Sequence, residues 1–469
     1  MSSSPTPSSS NSDNNDNGST SLKRTIGLFQ ASIFGIGLIL GAGIYSVIGD
    51  VAAIGGNIIW ISFLIASLLA LLIGLSYAKL SSIFPKSAAE YFFVKNSLGN
   101  EFIASFIGYL VIFVNISSAA TVAIGFSGYM NTFFPNIPDI IIAILLVAVL
   151  SFVNFYGIAE SANLNVIFTF IELFGLLFII VASFATGFIF KTNFWELPMN
   201  THNANLNPNI SYVFGIIFPA ASLIFFAYFG FENIINISDE TKNPVKTIPK
   251  ALIISIIVTT IVYVLVALSS IALVGWQELS QSSAPLATVA NKAAGNTGTF
   301  LLSVIGLFAT SNTVLIMLIS SSRIIYGISK DGKFSIPHFL STVHEKRKTP
   351  WIAILFVMVI TFIIIVFSEG DLSIIAMLSV FGIFMVYIIV NVSVIIFSHK
   401  NSNNIAKSFL RIEKASIISI ISITLTTILL IQLGLETIKT GLISISLILF
   451  FLLLVKLVNR STSNTKPRL

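Results

Sequence analysis

Long apolar stretches dominate the chain and alternate with short segments that contain glycine, proline and charged residues. A helix needs roughly 20 apolar residues to cross the hydrocarbon core of a bilayer. The pattern predicts about twelve transmembrane helices, although eleven or thirteen would also fit it. The stretches fall near residues 26–54, 58–84, 100–130, 137–157, 161–190, 212–238, 247–275, 297–328, 351–368, 371–398, 414–434 and 440–458.

Turn-forming and charged residues separate these stretches. Glycine and proline interrupt regular structure, and clusters of them mark connections between elements. The sequence therefore predicts an all-α polytopic membrane protein. The clearest separators are Gly55-Gly56-Asn57, Pro85-Lys86, Pro135-Asn136-Ile137-Pro138 and Glu369-Gly370-Asp371.

Composition favours one integral membrane domain over a series of soluble domains. Apolar residues make up 55% of the 469 residues and charged residues only 9%, whereas a soluble domain carries about a quarter charged residues. The mean hydropathy is +0.95. So few ionisable side chains could not cover a surface that faces water, but apolar side chains suit a surface that faces lipid.

The basic residues test the helix count and give an orientation. With twelve spans and a cytoplasmic N-terminus, only three of the 25 Lys and Arg residues fall in outer segments: Lys191, Lys292 and Lys439. The other 22 fall in cytoplasmic segments, as the positive-inside rule expects. Both termini are therefore predicted to be cytoplasmic. The net charge of +6 is assigned to loops that contact anionic lipid, and no nucleic-acid partner is expected.

The two terminal segments and the lack of clustered Cys and His residues exclude several classes of function. Residues 1–22 are rich in Ser, Asn, Pro and Asp, which predicts a disordered cytoplasmic tail without the pattern of a signal peptide. Residues 461–469 are predicted to form a second cytoplasmic tail. The chain has no cysteine, and its four histidines lie in connecting segments without ligand spacing. We therefore expect no disulfide, no metal, no cofactor other than a coupling ion, and no enzymatic activity.

Two predicted helices have weak points near their centres. The first contains Gly-x-Gly twice, at 35–37 and at 41–43, and each glycine weakens a helix by about 1 kcal/mol relative to alanine. The sixth contains Gly230 close to the ionisable Glu232. Close packing of helices would explain any single glycine. Because both sites occur together, we favour unwound segments, which are typical of the binding sites of secondary transporters.

Three motifs resemble the amino acid–polyamine–organocation superfamily of permeases. Residues 41–45, Gly-Ala-Gly-Ile-Tyr, resemble its first-helix signature. Residues 226–232, with the continuation at 239–244 and 248–251, resemble its sixth-helix and loop signature. The resemblance covers roughly residues 22 to 460. The third motif, which resembles the end of its eighth helix and the following loop, consists of Ser322-Arg323, residues 330–337 and Pro350.

The resemblance implies a fold and a mechanism. The expected fold is a five-plus-five inverted-repeat core at 23–398 with discontinuous helices 1 and 6, followed by two accessory helices at 399–460. The expected mechanism is alternating access around a site at the membrane midplane. The implied activity is secondary active transport of an amino acid across the cytoplasmic membrane.

The resemblance also implies substrate-binding residues at the two weak points. Backbone N–H groups of the first helix would bind the substrate carboxylate, and carbonyls of the sixth would bind its ammonium group. The Phe226 ring would form the outer lid. The implied substrate-binding residues are Gly41, Ala42, Gly43, Ile44, Phe226, Ala227, Phe229 and Gly230.

Two acids and two hydroxyls are candidates for coupling or gating. Glu232 and Glu172 lie inside apolar stretches, where an ionised side chain costs roughly 2.5 to 3.5 kcal/mol. We expect Glu232 to link protonation to gating, whereas Glu172 fits a structural bridge equally well. Some proton-coupled relatives place a lysine in the fifth helix, where Glu172 stands here. The coupling ion therefore stays open between H⁺ and Na⁺, and Ser320 and Ser321 could coordinate sodium or simply bond to backbone.

Other polar groups leave alternatives open. Asn312 and the third-span residues Asn115, Ser117, Ser118 and Thr121 could face the substrate or could join helices by hydrogen bonds. The loop 239–250 is either a solvated anchor or an inner gate whose ion pairs break on opening.

The predicted function is cation-coupled uptake of neutral amino acids. The alternatives of the same fold are an amino acid exchanger and a permease for polyamines or cationic amino acids, and a channel is less favoured. The expected partners are the amino acid substrate and membrane lipid. The chain could act as a monomer or as a homodimer.

Overall fold

The computed structural model describes residues 24–450 except 132, 135, 199–209, 283, 332–336, 368–371, 401–414, 444, 447 and 448. The predicted tails at 1–22 and 461–469 lie outside this part of the chain, as does most of the stretch at 440–458. The described residues form helices and no strand; one isolated backbone bridge joins Ile26 to Thr241. The prediction of an all-α chain is confirmed.

Thirteen α-helices precede a further helical stretch, Leu435–Ile443, along the described residues. They are α1 (Leu28–Leu40), α2 (Ala42–Gly55), α3 (Ile59–Ile83), α4 (Ala89–Leu98), α5 (Glu101–Met130), α6 (Asp139–Tyr156), α7 (Ile158–Thr186), α8 (Ile210–Tyr228), α9 (Pro244–Gln281), α10 (Pro285–Asp331), α11 (Trp351–Phe367), α12 (Leu372–Lys400) and α13 (Ala415–Gln432). A 3₁₀ segment, Phe231–Glu240, lies between α8 and α9.

Nine helical stretches within the described residues are long and apolar enough to cross a membrane. A tenth results if the bent pair Ser416–Gln432 and Leu435–Ile443 is counted as one span. The apolar helix α11 has only 17 residues and is shorter than these stretches. A polytopic chain is thus confirmed, whereas the layout of twelve helices stays a prediction.

Glycines bend two of the long helices. Gly275 in α9 has φ 76° and Gly295 in α10 has φ 62°, values that side-chain-bearing residues rarely adopt. The helical direction therefore changes at both positions. These kinks coincide with the ends of the apolar stretches 247–275 and 297–328.

Helices α5 and α10 pack along each other at the centre of the bundle and are buried over most of their length. Helix α7 lies at the periphery and exposes an apolar stripe at spacings of three and four residues: Phe170, Phe174, Leu177 and Val181. Such a stripe occupies one face of a helix. Because a water-facing surface rarely carries so many large apolar residues, this face suits contact with lipid.

Candidate functional site

The first interruption is a single residue, Gly41, between α1 and α2. Its φ and ψ are −39° and −146°, so the helical path breaks there and resumes at Ala42. The Gly41 N–H still donates to the Gly37 carbonyl at 3.1 Å, while the Ala42 N–H donates to Thr313 Oγ1 on α10 at 3.1 Å. A Cβ atom at position 41 would lie 1.8 Å from Thr313 Oγ1. The approach of α10 therefore requires glycine at this position.

The second interruption follows α8 at Phe229 and Gly230. Gly230 has φ 114°, a conformation that favours glycine. Its N–H donates to Glu232 Oε2 at 3.2 Å, and the chain then continues as the 3₁₀ segment rather than as an α-helix. The predicted discontinuities at Gly41 and Gly230 are thus both present as breaks in helical geometry.

The two interruptions touch each other. A Cβ atom at Gly43 would lie only 2.6 Å from the Ala227 Cα, so the α2 backbone packs directly on α8. The hydroxyl of Tyr263 on α9 contacts the carbonyls of both broken helices, donating to Ile39 O and, at 3.1 Å, to Ala227 O. One hydroxyl proton is therefore shared between the two interruptions.

A narrow cavity lies at this meeting point, with about 20 Å³ open to the centre of a water molecule. Five of the eight predicted substrate-binding residues line it: Ala42, Gly43, Phe226, Ala227 and Phe229. Gly41, Ile44 and Gly230 adjoin the breaks without lining the cavity. The other lining residues are Leu38, Ile39, Ser118, Val122, Thr313 and Met317.

Thr313 and Tyr263 are the site residues that the sequence interpretation missed. Each is a lone hydroxyl residue in an apolar stretch, which by itself is no more informative than many others. Their partners lie far away along the chain: Thr313 and Ala42 are 271 residues apart. A weak signal did exist for Thr313, because it follows the polar candidate Asn312.

Of the polar candidates on α5 and α10, Asn115 and Asn312 bond to other elements, whereas Thr121 bonds within its own helix. Asn115 and Asn233 exchange side-chain hydrogen bonds of 2.9 and 3.2 Å, and Thr121 donates to the Ser117 carbonyl at 3.0 Å. Of the polar residues singled out on these helices, Ser118 lines the cavity.

Glu232 lies fully buried at the start of the 3₁₀ segment. Its carboxyl accepts hydrogen bonds from the Gly230 N–H at 3.2 Å, from the Tyr387 hydroxyl on α12 at 2.7 Å and from Asn233 Nδ2 at 3.4 Å. These donors suit a carboxylate, because hydrogen bonds to the charged form stabilise it. The acid is therefore tied to the backbone of the second interruption.

Glu172 on α7 is also fully buried, but its surroundings differ. Oε1 accepts a 3.0 Å bond from Asn312 Nδ2, whereas Oε2 has no hydrogen-bond partner among the described residues. Asn312 also bonds to Asn165 at 2.6 Å and to Thr169 at 3.2 Å. This amide cluster packs on α1 rather than on the cavity.

Ser320 and Ser321 are buried in α10, one to two turns beyond the cavity. Ser321 Oγ donates to the Met317 carbonyl of its own helix at 2.8 Å, and Ser320 Oγ has no partner within the described part of the chain. Neither residue lines the cavity. Within that same part, no group of three His, Cys, Asp or Glu side chains could hold a metal ion.

A buried ion pair closes the end of the bundle where α1 begins. Arg323 on α10 contacts Glu240 through Nη2–Oε1 at 3.0 Å and Nε–Oε2 at 3.2 Å, and both side chains are fully buried. The Thr25 and Ile26 N–H groups donate to the Glu240 carbonyl at 2.9 and 3.1 Å. This cluster, the Arg323–Glu240 clasp, joins α10, the 3₁₀ segment and the segment before α1.

Comparisons with known proteins agree on one family. Residues 26–466 match the family model described as "Amino acid permease". The chain is 30% identical to the branched-chain amino acid permease BcaP of Bacillus subtilis, over 93% of this chain and 94% of the relative. It is 29% identical to the methylthioribose transporter of the same organism, over 71% and 72%. It is 30% identical to cationic amino acid transporter 4 of Mus musculus, over 72% of this chain and 54% of the relative.

Proposed function

The chain belongs to the amino acid permease family of multi-pass membrane proteins, and on this premise we propose that it is a secondary active transporter of neutral amino acids. It would carry them across the cytoplasmic membrane by alternating access. The observation that supports this function is the pair of helix interruptions that meet at one cavity. Paired interruptions of this kind mark the binding site in many secondary transporters.

The geometry suits a zwitterion. Helix α2 begins at Ala42, beside the cavity, and the positive end of its dipole favours a carboxylate there. Helix α8 ends at Tyr228, so the negative end of its dipole, with the carbonyls of Ala227 and Phe229, favours an ammonium group. Ala42, Gly43 and Ile44 are therefore assigned to the carboxylate, and Phe226 to the lid. Gly41 and Gly230 allow the two breaks.

The lining favours an apolar substrate side chain. None of the eleven described residues that line the cavity carries an ionisable side chain. A cationic amino acid or a polyamine would bring a second positive charge into this space without a counter-charge, at high desolvation cost. The similarity to a permease for branched-chain amino acids points the same way. The similarity to a cationic amino acid transporter supports the alternative of a cationic substrate.

Alternating access requires a barrier on each side of the site. The Arg323–Glu240 clasp is a candidate inner barrier because it ties the 3₁₀ segment to α10 and to the segment before α1. Opening toward the cytoplasm would break a buried ion pair, which is unfavourable unless both ions become hydrated. The loop 239–250 would therefore act as a gate rather than only as an anchor.

Coupling is assigned to a cation, H⁺ or Na⁺, and exchange of amino acids is the alternative. Glu232 is the preferred coupling residue because its carboxyl bonds the backbone of the second interruption. Glu172, Ser320 and Ser321 are secondary candidates.

The proposed layout has twelve transmembrane helices and cytoplasmic termini. It comprises an inverted-repeat core at 23–398, two accessory helices at 399–460, and tails at 1–22 and 461–469. Labelling single cysteines introduced at Ser19 and Ser463 from either side of sealed vesicles would test it. Labelling of either position from the outside would contradict it.

The transport function is testable with purified protein in liposomes. Vesicles loaded with unlabelled leucine should take up labelled leucine by saturable counterflow. External isoleucine and valine should compete, whereas lysine and putrescine should not. Competition by lysine or putrescine alone would favour the cationic alternative. Absence of counterflow with every amino acid tested would contradict the carrier.

A further inference from the structure

Glu90 is a buried acid that the proposed transport cycle does not yet use. It lies in the first turn of α4 and only 1% of its surface is exposed. Helix α4 has 10 residues and is too short to span a membrane. Its preceding residue, Ala88, has φ 60°, a left-handed conformation that alanine rarely adopts. Such strain persists only where surrounding contacts enforce it.

The carboxyl of Glu90 makes no hydrogen bond of good geometry with another described side chain. Both oxygens and the neighbouring Tyr77 hydroxyl are buried, and the hydroxyl lies close enough to interact with the carboxyl although no hydrogen bond of good geometry joins them. Because an unpaired buried carboxylate is very unfavourable, the neutral acid is favoured in this environment. Burial raises the pKa of Glu90 to about 8, and the nearby Glu232 carboxyl adds to the rise.

Helix α4 is tied to the same 3₁₀ segment that carries Glu232. Ser87 Oγ donates to the Asn236 carbonyl at 2.8 Å, and the Ala89 N–H donates to Asn236 Oδ1 at 3.4 Å. Movement of the 3₁₀ segment would therefore move the start of α4. The exposure of Glu90 is consequently linked to the position of Glu232.

Aromatic hydroxyls connect the two acids. Tyr77 on α3 interacts electrostatically with both Glu90 and Glu232. Its ring packs edge-on against Tyr387 at 5.9 Å between centroids, and the Tyr387 hydroxyl donates to Glu232 at 2.7 Å. Two carboxyls and two hydroxyls thus share one buried pocket.

Several other charged groups near α4 bond to residues other than Glu90: Lys79 on α3 donates to Ser398 at 3.1 Å, and Lys400 on α12 donates to the Ser97 carbonyl at 3.3 Å. On α4 itself, Lys95 pairs with Asp331, and the Tyr91 hydroxyl donates to Asp331 at 2.7 Å. On α5, Glu101 pairs with Lys95 at 3.6 Å. The remaining titratable side chains of α5 are Tyr109 and Tyr129.

We propose that Glu90 and Glu232 form one proton-binding site that holds a single proton between two carboxyls, and that Glu90 exchanges this proton with the cytoplasm. The proposal rests on the carrier function above and identifies the coupling ion as H⁺. Like charges in one buried site oppose double ionisation, so the pair titrates as a unit. The two carboxyls together carry one negative charge before and after internal transfer.

Internal transfer would run from Glu232 through the Tyr387 and Tyr77 hydroxyls to Glu90, each hydroxyl accepting one proton as it gives up its own, so that both remain neutral. When the Arg323–Glu240 clasp opens, the 3₁₀ segment moves and takes the start of α4 with it. Glu90 then reaches water on the cytoplasmic side and releases the proton. Protonation and gate opening are thereby linked through Asn236.

Transport assays in liposomes separate this proposal from the carrier function itself. Wild type, Glu90→Gln and the control Glu160→Gln, an exposed acid on α7, are compared in leucine counterflow and in accumulation driven by an inward proton gradient. Glu90→Gln should keep counterflow and lose gradient-driven accumulation by about 100-fold, the lower range for a missing proton-transfer group. Glu160→Gln should keep both activities.

Each other outcome has a definite meaning. If Glu90→Gln accumulates leucine as wild type does, the proton site is refuted and the carrier stands. The same holds if wild type performs counterflow but ignores the proton gradient. If wild type performs no counterflow, the carrier function itself fails.

Infrared difference spectra between acid and alkaline pH provide a readout that does not depend on transport. Wild type should show a protonated-carboxyl band that Glu90→Gln loses. In Glu232→Gln the same band should titrate at a pH that differs from wild type by about one unit or more, because paired acids titrate together. An unchanged band in Glu90→Gln, or an unchanged titration in Glu232→Gln, would overturn the shared site.

Discussion

The two helix interruptions differ in length and in the structure that follows them. At the first, helical geometry fails at Gly41 alone and α2 starts at the next residue. At this break the Thr313 hydroxyl oxygen accepts a hydrogen bond from the Ala42 N–H. At the second, Gly230 adopts φ 114°, and ten residues of 3₁₀ helix follow. The first break is one residue long and is held by a side-chain hydrogen bond, whereas the second leads from an α-helix into a 3₁₀ helix.

The buried acids near the two interruptions also differ in their hydrogen-bond partners. Glu172 belongs to an amide cluster beside α1, where Asn312 bonds one of its oxygens. Glu232 lies in the second break itself, accepts bonds from a backbone N–H and Tyr387, and has Glu90 as a neighbour. Under the proposed mechanism both interruptions contact the substrate, and the second also responds to protonation. Burial alone does not separate the two roles, since both acids are fully buried.

The largest expected effect separates these two acids directly. Glu232→Gln should reduce proton-driven leucine accumulation by about 100-fold, the lower range for a lost proton-transfer group. Glu172→Gln should retain most of it, because glutamine can still accept the Asn312 bond. Initial rates in liposomes with an inward proton gradient measure both. Equal losses in the two variants would remove the distinction between the interruptions.

Stability as a function of pH sharpens the comparison at Glu90. The pKa of this acid rises from 4.5 to about 8 on folding, so its contribution to stability is fully present below 4.5 and is lost as pH rises toward 8. Glu90→Gln cannot ionise and should therefore melt higher than wild type at pH 8. Each pKa unit of difference between the folded and unfolded states corresponds to about 1.4 kcal/mol, so the rise from 4.5 to about 8 sets an upper bound of roughly 5 kcal/mol on the gain.

Thermal unfolding in detergent at pH 5 and pH 8 measures this effect. The advantage of Glu90→Gln over wild type should be larger at pH 8. Glu160→Gln, an exposed acid, should show the same difference from wild type at both values. An advantage of Glu90→Gln that does not grow with pH would contradict the raised pKa.

A smaller effect is expected where the two interruptions share one hydroxyl. Tyr263→Phe should leave the Ile39 and Ala227 carbonyls without their common donor. A lost hydrogen bond with a buried partner left behind costs about 1 to 3 kcal/mol, so leucine affinity should fall roughly tenfold. Tyr45→Phe is the matched control, because the Tyr45 hydroxyl is buried without a partner among the described residues. Equal leucine affinities in Tyr263→Phe and Tyr45→Phe would show that the Tyr263 hydrogen bonds to the two interruptions do not support binding.

The smallest effect concerns the hydrogen bond between the Ala42 N–H and Thr313 at the first break. Thr313→Val removes the acceptor of the Ala42 N–H at nearly constant volume and should weaken leucine binding by about 1 kcal/mol. Thr313→Ser retains the hydroxyl and should bind leucine nearly as wild type does. Scintillation proximity binding with labelled leucine measures both. If the two variants lose the same affinity, the methyl group rather than the hydrogen bond is responsible.

Local patterns in the sequence predict much of the fold. Apolar stretches predict the helices, including ends close to Gly275 and Gly295, and glycines predict the interruptions at Gly41 and Gly230. Each of these features depends on residues adjacent in the chain. Burial of Glu232 can be predicted for the same reason, because it follows from the apolar residues that surround it in sequence.

Long-range partners could not be predicted in this way. Glu240 and Arg323 both occur in family-like motifs, yet nothing local indicates that their side chains meet. Glu90 falls between two apolar stretches of the sequence, and its burial depends on α3, α12 and the 3₁₀ segment packing around it. Contacts across the bundle decide which polar residues bind substrate and which join helices.

The central claim is that an amino acid binds where the two interruptions meet, and Gly43 provides the most direct test. A side chain at Gly43 would enter the contact with Ala227, where a Cβ atom would lie 2.6 Å from the backbone. Gly128 on α5 is the control, since a Cβ there meets no atom within 4 Å. Leucine binding to the purified variants, with correct folding verified by gel filtration, is the measurement. The account predicts that Gly43→Val loses leucine binding while Gly128→Val retains it; undiminished binding by a folded Gly43→Val protein would contradict it.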